Sequence, residues 1–131
     1  RSPAAQLAGN MSTREIMAIL EHPNSDQQRN QALAILKTKA LQHDEDAMQV
    51  MAYFYHQGKH VERNPKQALY YLIAVAKQKL DEDSFNTAMD FFAEPGNGIH
   101  PEDKEAEQWL LELASRYDQA TTQAASQAEM T

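Results

Sequence analysis

The chain has 131 residues, a formal charge of −7 at pH 7 and no cysteine. That length carries one small domain or part of a larger array and excludes large enzyme folds, while the missing cysteine excludes disulfide frameworks, thiolate metal sites and cysteine nucleophiles. The acidic balance sets a repulsive field against phosphate backbones, so nucleic acid is not expected as a partner.

The opening residues, RSPAAQLAGN, hold neither a charged leader with an apolar core nor an initiator Met. No apolar run approaches the ~20 residues of a bilayer span. A processed or excised soluble segment is expected, with residues 1–11 flexible and a single domain over 12–117. Few glycines, many Ala, Gln, Leu and Met, and apolar positions three and four apart predict helices rather than strands. Ser12 with Glu15 opens a first helix over 12–22, and Ser25 with Gln28 opens a second over 25–42. Asp44 ahead of Ala47 marks 45–57, Asn64 with Pro65 marks 65–79, Asp81 ahead of Phe85 marks 82–94, and His100 with Pro101 marks 101–117. From Asp118 the chain reads DQATTQAASQAEMT, with almost nothing apolar to pack, and a flexible tail is expected over 118–131.

A local pattern recurs along these helices. Gln31-Ala32, Gln67-Ala68 and Glu105-Ala106 lie 36 and then 38 residues apart. Each alanine is followed three and four positions later by a large apolar pair: Ile35-Leu36, Tyr71-Leu72 and Trp109-Leu110. An alanine then closes the face at Ala40, Ala76 and Ala114. Such a period signals stacked helical hairpins, with units over about 28–63 and 64–100 and a final first helix over 101–117. A second helix recurs between the alanines, opened both times by an acidic triplet at Asp44 and at Asp81, where carboxylates favour a helix start. Helix 12–22, with Ile16, Ile19 and Leu20, fits none of these spacings and is expected to cap the first unit.

The segments AEQWLLELA (Ala106 to Ala114) and AMQVMAYFYHQGKHV (Ala47 to Val61) resemble the Sel-one-like repeat family, a relative of the tetratricopeptide repeat. The resemblance covers about residues 31–116. His60 stands where that family's second turn glycine is expected, and Ala52 and Met89 where its helix-packing glycine is expected. It implies an all-α fold, a right-handed α-α superhelix of about six helices, and an adaptor or scaffold role. Bacterial members of the family serve in envelope, secretion, motility or polysaccharide-export complexes. The implied setting is a bacterial periplasm or envelope, with the cytoplasm as the alternative.

No catalytic constellation emerges, and neither a metal nor a cofactor is expected. His43 beside Asp44, Glu45 and Asp46 has metal-ligand chemistry, but the same acidic helix start recurs at Leu80-Asp81-Glu82-Asp83 without the histidine. Gly96-Asn97-Gly98 lacks the preceding strand and the Lys-Ser/Thr ending of a phosphate loop and reads as a turn. Met48, Met51, Tyr55, Phe85 and Phe92 read as core. The repeat pattern assigns the buried face of helix 65–79 to Ala68, Tyr71, Leu72, Val75 and Ala76, which leaves Tyr70, Ile73 and Lys77 as a separate stripe. With Lys37 and Thr38 on the preceding first helix, this stripe is the candidate contact surface for a peptide or protein. The alternative reading of the stripe is packing against a neighbour. The alternative function is a docking or spacer domain of a longer protein whose activity lies elsewhere.

Overall fold

The computed structural model describes residues 10–130. The expectation for residues 1–11 falls largely outside that range. Six helices follow in order: α1 Thr13–Glu21, α2 Asp26–Leu41, α3 Glu45–Gln57, α4 Pro65–Lys79, α5 Glu82–Ala93 and α6 Lys104–Met130. The described residues form no strand, so the fold is all-α.

Five helices start at the caps read from the sequence, because a side-chain oxygen there satisfies a backbone N–H that the first turn leaves free. Ser12 accepts from the Glu15 N–H at 3.1 Å and Ser25 from Gln28 at 3.0 Å. Asp44 accepts from Ala47 at 3.0 Å, Asn64 from Gln67 at 3.1 Å and Asp81 from Ser84 at 2.8 Å. The sixth start differs. His100 and Pro101 belong to a turn in which the His100 Nδ1 accepts from the Glu102 N–H at 3.0 Å, and Asp103 becomes the cap, accepting from Ala106 at 3.0 Å. Aspartate caps better than histidine, and α6 begins at Lys104. The end of α6 lies beyond the expected 117, since residues 118–130 continue the helix. Ala and Gln propagate a helix already nucleated by packed turns without needing a buried face.

The turns repeat as well. His43 and Leu80, each one residue before a capping aspartate, hold left-handed backbone at φ 64° and 54°. The following turns each contain two left-handed residues two positions apart, Gly58 and His60 at φ 70° and 63°, then Gly96 and Gly98 at φ 77° and 91°. Gly98 could not be replaced without movement, because a Cβ there would lie 2.8 Å from Pro65 Cγ. Asn97 locks its turn: its amide donates to the Phe91 and Phe92 carbonyls at 2.8 and 2.9 Å, and its Oδ1 accepts from the Ile99 N–H at 2.7 Å. Arg63 ties the two turns together, donating to the His56 carbonyl at 3.1 Å and to the Asn97 carbonyl at 3.3 Å.

Each helix packs on its successor, and α6 also packs on α4. One apolar cluster joins α1 through α4: Ile16 and Leu20 from α1, Leu36 from α2, Met48, Met51 and Phe54 from α3, Tyr71 and Val75 from α4. A second joins α4, α5 and α6 through Leu69, Ile73, Ala88, Ala106, Leu110 and Leu113. Leu72 touches both. The three recurrent alanines, Ala32, Ala68 and Ala106, are all buried.

The stripe expectation for α4 is corrected here. A helix with a neighbour on one side needs one apolar face, but α4 has α3 on one side and α5 and α6 on the other. It buries Tyr71 and Val75 toward the first cluster and Leu69, Ile73 and Ala76 toward the second. Ile73 is 3% exposed and belongs to the core.

Candidate interaction surface

The five residues read from the sequence do not form one stripe. Tyr70, Ile73 and Lys77 line a cleft of about 350 Å³ between α4, α6 and the α2–α3 turn, with Ile73 at its floor. Lys37 lines a different cleft, of about 450 Å³, with Tyr55, His60 and Glu62. Thr38 turns its hydroxyl back to donate to the Ala34 carbonyl at 2.9 Å. The α2 pair therefore sits apart from the α4 residues.

Tyr70 is held in place although it is 40% exposed. Its ring meets Tyr71 edge-on at 5.4 Å and Trp109 edge-on at 5.5 Å, the arrangements aromatic quadrupoles favour. Trp109 is half-buried and packs against the second cluster and the Tyr70 ring. Its other contact is the Lys66 ammonium, 5.5 Å from the ring centroid. Lys66 is fixed in turn by Glu105 at 2.7 Å and Asp103 at 3.2 Å. Hydrogen bonds to Glu105 and then Asp103 hold its pKa above the ordinary value.

The cleft beside Tyr70 has a charge character opposite to that of the chain. Lys77, His43 and Arg116 line it together with Gln78, and none of its lining residues is acidic. Lys77 is shared with Glu112 on α6 at 3.2 Å. Arg116 is exposed and forms no ion pair with a described residue. The sequence reading missed Arg116 and did not place His43 on the contact surface. A signal was present: Lys77 and Arg116 follow the recurrent alanines Ala68 and Ala106 by nine and ten positions, which puts both cations near one end of neighbouring first helices.

Asp44 is occupied as a helix cap and by Lys39 at 3.7 Å, and the described residues contain no group of three His, Asp or Glu placed to hold a metal ion. No described helix is long and apolar enough to cross a membrane. The chain matches no family model, no curated protein and no solved structure.

Proposed function

We propose that the chain is a non-catalytic interaction module, an adaptor or scaffold that binds a peptide or protein partner on the surface of a Sel-one-like superhelix. A bacterial envelope, secretion or motility complex is the setting this reading favours. Tyr70 is the observation that carries it. The ring is exposed on a helix otherwise buried on most sides, and two aromatic neighbours immobilise it beside an open cleft. A pre-ordered aromatic loses little entropy when a partner covers it, which is how interface anchors supply most of their energy. The test is affinity capture from the native host with the wild-type chain and with Tyr70→Ser. A partner retained by the first and lost by the second, with both chains equally helical, supports the reading; a wild-type chain that retains nothing overturns it.

The second reading, a docking or spacer domain of a longer protein, is favoured by α6. Every side chain over residues 121–130 is exposed, and a helix polar on all sides suits a solvent bridge between domains. Shortening this arm would then leave partner capture intact while altering the activity of the longer protein.

A further inference from the structure

We propose that the cleft bordered by Tyr70, Lys77, His43 and Arg116 receives an acidic segment of a partner protein, seated by one apolar side chain against Tyr70 and Ile73. The proposal rests on the interaction-module reading and specifies the chemistry of the partner.

Size comes first. At about 350 Å³ the cleft lies at the low end of the range for ligand sites, enough for one anchor side chain and nearby backbone and too small for the face of a whole helix. Its floor is apolar, made by Ile73, Ala74 and the Tyr70 ring, so the anchor is an aliphatic or aromatic group.

Charge sets the rest. In a chain of net charge −7, the residues lining this cleft include Lys77 and Arg116 and no carboxylate. Lys77 is already engaged by Glu112, so it is a partial charge donor that keeps the α6 wall in position. Arg116 is the uncommitted group, and its planar fork suits a carboxylate in two-point contact. His43 faces the opening from the α2–α3 turn, where a left-handed backbone fixes its direction. The segment that satisfies all four residues has an apolar residue with Asp or Glu close to it in sequence. A basic segment would be repelled by Lys77 and Arg116, and a neutral one would offer Arg116 no opposite charge.

The test uses the full chain to select from a phage-displayed random peptide library, followed by anisotropy titration of the fluorescently labelled winning peptide. Selected peptides are expected to carry an apolar residue flanked by Asp or Glu. Arg116→Glu should weaken the winner by more than about tenfold, the scale expected when a charge facing a carboxylate is reversed. A peptide with its acidic residues changed to Lys should bind R116E better than it binds the wild-type chain. Winners without acidic residues, equal binding by R116E, or no selection at all would each overturn the proposal. Self-association of the wild-type chain in sedimentation, abolished by R116E, would overturn it too, since the occupant would then be a second copy. Capture from the native host separates this proposal from the reading beneath it. A partner retained equally by wild type and R116E sinks the cleft and leaves the module, whereas a wild-type chain that captures nothing sinks the module.

Discussion

His43 and Leu80 occupy the same place in two successive turns: both are left-handed, at φ 64° and 54°, and each stands one residue before an aspartate that caps the next helix. Neither is glycine, so both turns store backbone strain that a side chain with a Cβ cannot avoid. His43→Gly, at an exposed site, should stabilise the fold by about 0.5–1 kcal/mol. Leu80→Gly should gain less, because Leu80 is half-buried and its contacts would be lost. Urea titration of both variants checks the order; a destabilised His43→Gly would show that the histidine ring contributes more than its backbone costs.

Ile73 and Tyr70 lie three residues apart on α4 and should separate cleanly on mutation. Ile73→Ala removes a side chain that is 3% exposed and should cost about 2–5 kcal/mol, as a core truncation does. Tyr70→Ala loses two edge-on ring contacts and should cost about 1–2 kcal/mol. Partner binding should respond in the reverse order once each variant is assayed well below its melting point. Equal stability losses would contradict the two-sided burial of α4.

Trp109 is the only tryptophan, which makes its own fluorescence a reporter. Trp109→Ala should cost about 1.5–3 kcal/mol, less than a fully enclosed ring, because Lys66 and Tyr70 cover only part of it. Denaturant midpoints measured by circular dichroism decide this. A loss beyond about 4 kcal/mol would place the ring in the core, and one below about 0.5 kcal/mol would make its contacts ornamental.

Acid should weaken the fold in two stages. Burial against Phe54, with Lys59 and Arg29 nearby, pushes the His60 pKa below its ordinary 6.5, so the folded state favours the neutral ring. Its contribution is complete above 6.5 and is lost as pH falls through the lower folded value. The Ser84 and Ala106 N–H groups hold the Asp81 and Asp103 carboxyls below their ordinary 3.8. Their capping contribution is complete above 3.8 and is lost as pH falls through the depressed values. Asp81→Asn together with Asp103→Asn should flatten only the lower stage in urea titrations run across pH.

The helices were legible because their starts depend on local chemistry, a cap three residues ahead of a free N–H, and all six caps follow it, five of them at the residue read from the sequence. The sixth was misplaced because Asp103 competes with His100-Pro101 over three residues, a contest that periodicity does not register. The recurrent alanines were legible for the same local reason. What the sequence concealed was the number of neighbours around α4: Ile73 reads as an off-face residue until α5 and α6 are placed against it. The cleft was only half visible, since Tyr70 and Lys77 share a helix whereas Arg116 and His43 reach it from 39 and 34 residues away from Lys77 along the chain.

Arg63 belongs to the first of the two corresponding turns and spends its guanidinium on both, through the His56 and Asn97 carbonyls. A side chain bonded to both turns links the opening of one to the opening of the other. The amide of Ile99, bonded to the Asn97 side chain, should therefore exchange its hydrogen in step with the amide of Gly58, forty-one residues earlier. Arg63→Ala should uncouple them, letting the Asn97 turn open while the Gly58 turn stays closed; matched exchange rates in that variant would mean that the apolar clusters alone make the two turns melt as one.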